Sequence, residues 1–222
     1  MSDALIQLLP SVLLAGLLLG CVYAMVALGY TMVYGVLGLI NFAHSEVFMI
    51  GGVAGVEVYR YLGPRVDNPY LLVVLAMVVA GAVSGGVAMA MERLAYRPLR
   101  RRGSTNRLVP LITAIGVSFF LQDFVRLIEG LWHGEFYLNY PSDARLEHTF
   151  ELPLQMTSQV KSIIVVVVTA LMLFGLDHLV RRTRLGKAIR AVAQDLPTAS
   201  LMGIDPDRII ARTFLIGGAL GG

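Results

Sequence analysis

The sequence predicts an all-α protein that crosses a membrane about six times. Its 222 residues are 56% hydrophobic and 15% charged, and its mean hydropathy of +0.71 is typical of polytopic membrane proteins. Residues 4–45 contain no Asp, Glu, Lys or Arg, although one transmembrane helix needs only about 20 apolar residues. The single cysteine, Cys21, excludes a disulfide within the chain and a cysteine-based metal site.

The first apolar run is interrupted in its second half. Gly35 and Gly38 break the run, and several polar residues follow before apolar residues resume. Backbone that leaves the helical conformation at membrane depth is tolerated where protein or a water-filled cavity covers it. We therefore expect a broken helix near residues 35–46 that belongs to a transport path.

Six spans are expected in order along the chain. They cover residues 5–30, 36–59, 70–91, 108–128 and 162–180, and the sixth begins near Pro206. The sixth span has about half of the apolar residues that a crossing needs. We therefore expect residues 1–222 to form a single transmembrane domain that is incomplete at its C-terminus.

Two kinds of local pairing are predicted inside the spans. Asp123 and Arg126 lie one helical turn apart near the end of the fourth span, where they can form an ion pair. Glycines at four-residue spacing allow helix backbones to approach closely. These pairs are Gly16 with Gly20, Gly51 with Gly55, Gly81 with Gly85, and Gly217 with Gly221.

The charges of the loops predict the orientation. Residues 92–107 carry six arginines and one Glu, and residues 177–212 carry seven basic residues and four Asp. Residues 129–161 carry five acidic and two basic residues. Because basic loops stay on the cytoplasmic side, residues 92–107 and 177–212 are predicted to be cytoplasmic and the N-terminus periplasmic. The net charge of +3 is thereby explained without a nucleic-acid partner.

A set of polar residues follows the break and is the candidate translocation path. Polar groups at membrane depth are costly and usually functional. The alternative is structural, with Asn41 and Ser45 capping a helix and His44 and Glu46 satisfied by neighbouring helices. The candidate residues are Asn41, Phe42, His44, Ser45 and Glu46.

Residues 181–208, the coupling segment, are the second candidate site. An amphipathic helix is predicted over residues 183–193. Asp195 as N-cap, Pro197 in the first turn and Gly203 at the end predict a short helix over residues 196–202. Such a helix suits docking into a cleft on a cytoplasmic partner, whereas an ordinary solvated or membrane-surface loop is the alternative. The candidate docking residues are Asp195, Leu196, Ala199, Ser200, Leu201 and Gly203.

No enzyme motif is present in the sequence. The string around Gly186 and Lys187 lacks the P-loop's upstream glycine, where Arg181 stands, and its following Ser or Thr. The four histidines lie in different segments, so no metal site is predicted. We expect a transport subunit without catalytic residues.

Six strings of the sequence match the pattern of a known family. They are residues 27–35 (ALGYTMVYG), 40–44 (INFAH), 92–98 (ERLAYRP), 111–116 (LITAIG), 199–204 (ASLMGI) and 213–217 (TFLIG). With these strings the chain resembles the membrane permease subunits of branched-chain amino-acid ABC transporters. One difference is Ser45, where that family usually has Gly before Glu46, and family members continue beyond the position of Gly222 with a second glycine-rich broken segment.

The resemblance implies an ATP-driven importer in the bacterial inner membrane that works by alternating access. Its partners would be a second permease subunit, two cytoplasmic ATP-binding subunits that hold ATP and Mg²⁺, a periplasmic amino-acid-binding protein and membrane lipid. The chain itself would hold no cofactor and bind no nucleic acid. Two other classes stay open: a stand-alone channel or secondary carrier for a small polar solute, which also uses broken helices, and a membrane scaffold.

Overall fold

The computed structural model describes residues 2–38, 40–101, 108–134, 138, 149–152 and 156–222. These residues are helical apart from turns and one antiparallel two-stranded hairpin. The helices are α1 Ser2–Leu37, α2 His44–Leu62, α3 Pro69–Met91, a π-helix Glu92–Tyr96, α4 Arg97–Arg101, α5 Leu108–Trp132, α6 Val160–Arg182, α7 Arg184–Gln194, α8 Leu196–Leu201 and α9 Pro206–Gly221. The strands are β1 Thr149–Leu152 and β2 Met156–Gln159.

Four helices in the described part of the chain are long and apolar enough to span a membrane: Leu9–Leu37, Pro69–Arg101, Leu108–Trp132 and Ser162–Arg182. The predicted count of about six is therefore not confirmed. The helix α2 has 19 residues, but three of them are charged. The helix α9 has 16 residues, and at 1.5 Å per residue it is shorter than the roughly 30 Å hydrocarbon core.

The broken helix is confirmed within the predicted window. The helix α1 ends at Leu37, and Gly38 takes a left-handed conformation with φ of 62°. Glycine adopts this conformation without the steric cost that a Cβ imposes. The chain turns before α2 begins at His44, and the N-cap of α2 is Ala43, whose side chain forms no capping hydrogen bond.

Local capping signals place several helix starts where they were predicted. The Asn68 side chain accepts hydrogen bonds from the backbone N–H groups of Tyr70 and Leu71, and Pro69 opens α3. Asp205 accepts from the N–H of Arg208, and Pro206 opens α9. Proline suits this position because it donates no hydrogen bond and its φ is already helical.

The helix α9 packs between α1 and α3 through small residues. A Cβ added at Gly217 would lie 2.9 Å from the carbonyl oxygen of Gly29 on α1, and one added at Gly218 would lie 3.0 Å from that of Ser84 on α3. The Ser84 hydroxyl is 2.9 Å from the Gly218 carbonyl oxygen and 2.8 Å from the Val47 carbonyl oxygen on α2. Close approach through glycine, as predicted for Gly217, therefore joins three helices around α9.

The other predicted glycine pairs differ from one another. Gly85 lies against α9 and Gly51 lies against Gly222, the residue that follows α9, since an added Cβ would come within 3 Å of Leu215 or Gly222 atoms. An added Cβ at Gly16 or Gly20 would meet no atom within 4 Å in the described chain. Glycine spacing alone did not distinguish buried helix faces from open ones.

Candidate functional site

Asn41 fixes the turn between α1 and α2. Its side chain is buried, and its Oδ1 accepts hydrogen bonds from the Ala43 N–H at 3.1 Å and from the Tyr96 hydroxyl at 2.9 Å. Asn41 therefore stabilises the turn and ties it to the π-helix, which differs from the structural alternative in which it caps α2. Its Nδ2 is buried and has no hydrogen-bond partner among the described residues.

His44 lies at the meeting point of α1, α2 and α9. Its ring contacts Tyr30 edge-on, with centroids 5.8 Å apart. A Cβ added at Gly29 or Gly221 would lie 3.2 or 3.4 Å from its Nε2, so the imidazole occupies space that the two glycines leave. The side chain is 3% exposed, and Nε2 has no hydrogen-bond partner within the described part of the chain.

The other three candidate path residues have different surroundings. Phe42 and Ser45 are exposed, and the Ser45 hydroxyl donates to the Phe42 carbonyl oxygen at 3.1 Å. Glu46 is half-buried, and its carboxylate accepts a hydrogen bond from the Ser118 hydroxyl on α5 at 3.0 Å. The five residues therefore divide into a buried pair, Asn41 and His44, an exposed pair, and Glu46 at the contact with α5.

An ion-pair network joins the π-helix to the start of α9. Glu92 is fully buried, and its Oε1 accepts from the Arg100 guanidinium at 2.9 Å. Arg100 also contacts the Asp207 carboxylate at 2.5 Å, and Arg101 contacts its other oxygen at 2.9 Å. Arg97 donates to the Asp207 carbonyl oxygen at 3.1 Å. The arginine-rich segment and the coupling segment thus lie at one end of the bundle, the basic end.

The electrostatics of Asp207 follow from these contacts. Burial by itself raises the pKa of the Asp207 carboxyl, but hydrogen bonds from Arg100 and Arg101 outweigh this effect and hold the pKa below its ordinary value. Asp207 is therefore an anion at neutral pH. The sequence gives one indication of this network, the excess of arginine after Glu92, which was interpreted as a topology signal.

The coupling segment has the predicted helices. Thr183 caps α7 by accepting from the Gly186 N–H. Asp195 caps α8, accepting from the Thr198 hydroxyl at 2.6 Å and from its N–H at 3.2 Å. These hydrogen bonds hold the pKa of the Asp195 carboxyl below its ordinary value. Gly203 ends the segment with φ of 82°, which confirms the left-handed conformation expected at a helix end.

The short helix α8 has two distinct faces. Leu201 and Met202 are 87% and 78% exposed, and Ser200 is also exposed. Leu196 is 37% exposed, whereas Ala199 is only 4% exposed and packs into the core. Because Ala199 faces the core, we remove it from the candidate docking residues. Met202, which was not among the candidate docking residues, completes the exposed apolar tip.

A cluster of one histidine and two glutamates lies at the other end of the bundle, where α2 and α5 end. His133 Nδ1 is 3.1 Å from Glu129 Oε2, and its Nε2 is 3.9 Å from Glu57 Oε2. One ligand atom from each residue could reach a common cation, since these atoms lie within 4.8 Å of one another. Glu57 also pairs with Arg60 at 3.1 Å. The sequence did not indicate this cluster, because the four histidines lie in different segments and only folding brings the Glu57 carboxylate on α2 to His133.

Comparison with known proteins gives the family. LivH of Escherichia coli K12, a high-affinity branched-chain amino acid transport system permease protein, is 40% identical over 92% of the chain and 65% of its own length. BraD of Pseudomonas aeruginosa, of the same description, is 41% identical over 94% of the chain and 66% of its own length. The chain thus spans slightly less than two thirds of these relatives, and no solved structure matches it.

The sequence pattern of one protein family matches almost the whole chain. The model for the permease component of branched-chain amino acid transport systems matches residues 12–222. This range includes the break at Gly38, the π-helix and the coupling segment. The chain therefore belongs to the family of permease components of branched-chain amino acid transport systems.

Proposed function

We propose that the chain forms part of the translocation path of an ATP-driven importer of branched-chain amino acids. The proposal rests on the family and on the substrate class in the names of LivH and BraD. ATP and Mg²⁺ would bind to two partner ATPase subunits, since the sequence of this chain contains no P-loop. A second permease subunit and a periplasmic binding protein would complete the importer.

The proposal that this chain couples to an ATPase rests on the apolar tip of α8, formed by Leu201 and Met202. These side chains are exposed beside a capped, ordered helix. An exposed apolar tip on a rigid support is suited to filling a pocket on a partner protein. The tip lies at the basic end, which the positive-inside rule assigns to the cytoplasm, where the ATPases would be.

The path itself is proposed to pass the broken helix. Asn41 and His44 each keep a buried polar atom without a partner in the described chain. Such atoms are rare in folded proteins because each loses its hydrogen bonds with water. A polar solute or a rearranged conformation would supply the missing partners, and this supports a role for both residues in the transport cycle.

The proposed orientation has the basic end in the cytoplasm of a bacterial cell and the N-terminus in the periplasm. Both basic segments lie at the same end of the bundle, since Arg100 contacts Asp207. The 3.8 Å pair of Asp123 and Arg126 lies on α5, which runs from the basic end to the His133 end. The multi-pass arrangement agrees with the four spans found in the described residues.

A crosslinking and uptake experiment tests the proposal. The native permease gene, with Cys21 replaced by serine, is expressed with its binding protein and ATPases in cells that lack their own system. Uptake of labelled leucine, isoleucine and valine should depend on ATP, and Ser200→Cys should crosslink to an ATPase subunit. Trp132→Cys, an exposed position at the far end of α5, is the matched control and should not crosslink.

The outcomes separate the proposed function from the rival transport classes. If the purified permease passes solute in liposomes without ATPases, it is a channel or a secondary carrier. If none of the three amino acids is taken up by the complete system, the substrate class is wrong. An ATPase crosslink at Trp132→Cys but not at Ser200→Cys would place docking at the opposite end.

A further inference from the structure

We propose that the π-helix Glu92–Tyr96 links the coupling segment to the broken helix, and that the Tyr96 hydroxyl transmits ATPase movement to Asn41. This inference rests on the proposed function, since it supposes that an ATPase moves α8. It names a residue, Tyr96, that has no role in docking and no position in the proposed path. Three sets of contacts carry it.

The π-helix is itself unusual. Between α3 and α4 the backbone changes to i→i+5 hydrogen bonding, and the Arg97 N–H donates to the Glu92 carbonyl oxygen. π-helical segments are rare, occur mostly as single-turn insertions within α-helices, and are frequently found at functional sites. The insertion thus marks the junction of α3 and α4 as a candidate functional segment.

The first residue of the π-helix is tied to the coupling segment. The Glu92 carboxylate is fully buried and pairs with Arg100 at 2.9 Å and with Arg97 at 3.8 Å. Arg100 also contacts Asp207 in the first turn of α9, four residues after Gly203. Leaving a buried carboxylate unpaired is strongly unfavourable. Arg97 and Arg100 both contact Asp207 as well as Glu92, so a displacement of the start of α9 is passed to the π-helix through these two arginines.

The last residue of the π-helix is tied to the broken helix. The Tyr96 hydroxyl donates to Asn41 Oδ1 at 2.9 Å across a sequence separation of 55 residues. The same oxygen accepts the Ala43 N–H immediately before α2. The Tyr96 ring is buried and packs against Phe214 of α9, with centroids 5.5 Å apart. The ring therefore follows α9, whereas the hydroxyl holds the turn that positions His44.

A cavity at this junction leaves room for such a movement. Its volume is about 220 Å³, and it lies between the end of α1, the π-helix with α4, and the starts of α5, α8 and α9. Tyr96, Arg100 and Leu196 all line it. Tightly packed interiors resist displacement, whereas side chains beside a cavity can shift without overlapping their neighbours. The cavity thus adjoins Tyr96, its neighbour Arg100 in the ion-pair network, and the first residue of α8.

The test uses Tyr96→Phe in the complete transporter, reconstituted in proteoliposomes with binding protein and ATPases. This substitution removes one hydroxyl and keeps the ring that packs on Phe214. We expect amino acid transported per ATP hydrolysed to fall about fivefold, the factor expected from one lost intramolecular hydrogen bond. Tyr34→Phe on α1 is the matched control, since Tyr34 is 47% exposed, and its ratio should equal that of the parent.

A double-mutant comparison identifies the partner of the hydroxyl. If Tyr96 acts through Asn41, the variant carrying Tyr96→Phe and Asn41→Ala should be no worse than Asn41→Ala alone. Additive losses, or a parental ratio in Tyr96→Phe, would overturn the inference. If Tyr96→Phe does not assemble, Asp207→Asn, which weakens the contact with Arg100 at the other end of the link and leaves Asn41 intact, must lower the ratio. A parent that transports none of the three amino acids would instead refute the proposed function.

Discussion

The Ser118 hydroxyl on α5 donates a hydrogen bond to the Glu46 carboxylate on α2 at 3.0 Å. The Ser45 hydroxyl approaches the same oxygen at 3.5 Å. A carboxylate near the membrane is costly unless protein groups or water satisfy it. The contact therefore makes α5 part of the environment of the candidate path, although α5 carries none of the candidate residues.

Replacement of Glu46 by leucine should reduce uptake and leave membrane insertion intact. Leucine adds hydrophobicity, which does not hinder partition into lipid, but it leaves the Ser118 hydroxyl without its acceptor. The same outcome is expected for Asn41→Leu, which removes both acceptor contacts of that residue. Uptake is measured per permease inserted in the membrane. Ser45→Gly is the control and should be tolerated, and normal transport by both leucine variants would show that these polar groups are dispensable.

Replacement of Gly217 by alanine should destabilise the bundle by about 1–3 kcal/mol, the usual cost of overpacking. The new Cβ would lie 2.8 Å from Val33 Cγ2 and 2.9 Å from the Gly29 carbonyl oxygen. Gly16→Ala is the matched control, because a Cβ there meets no described atom within 4 Å. Denaturant unfolding in detergent measures both variants. Equal stability of the two would mean that α1 and α9 do not pack through Gly217.

Single cysteines on α8 should react with a membrane-impermeant maleimide according to their exposure. Met202→Cys, in a background with Cys21→Ser and expressed without the ATPase subunits, should react after permeabilisation, whereas Ala199→Cys should stay protected because this position is 4% exposed. Trp132→Cys, 74% exposed on α5, should react in intact spheroplasts. Labelling of Met202→Cys without permeabilisation would reverse the proposed orientation.

Thr198→Val should raise the pKa of the Asp195 carboxyl, since the Thr198 hydroxyl is the largest cause of its lowered value. A carboxylate whose pKa is lowered by folding stabilises the fold above its ordinary pKa, and that stabilisation is lost as the pH falls through the lowered value. The α8 cap is thus complete at pH 7. Carboxyl NMR titration measures the change, with Ser200→Ala as the control. An unshifted Asp195 in Thr198→Val would contradict the capping contact.

The features that could be predicted from sequence are those that depend on neighbours in the chain. Asp195 and Asp205 cap helices through hydrogen bonds to residues three positions later, so their sequence signature is local. Gly38 breaks the first helix because glycine adopts a left-handed conformation readily. These local preferences explain why the break and the starts of α8 and α9 were predicted well.

The features that could not be predicted depend on residues far apart in sequence. The contact of Tyr96 with Asn41 spans 55 residues, and that of Arg100 with Asp207 spans 107 residues. The inward direction of Ala199 depends on how α8 packs on the core, because a helix of six residues has too little periodicity to indicate its buried face. Long-range packing also determines which glycine pairs face another helix.

Gly217 and Gly218 also influence how α9 can move. Side chains on packed helices interlock as ridges in grooves, and a helix that shifts along such a surface must change side-chain rotamers. Glycine has no rotamers, so at these two positions α9 contributes no side chain that would have to rearrange during an axial displacement. A shift of α9 past the Gly29 and Ser84 carbonyl oxygens would therefore require no rotamer change from α9 at these positions, but it would break the hydrogen bond from the Ser84 hydroxyl to the Gly218 carbonyl oxygen.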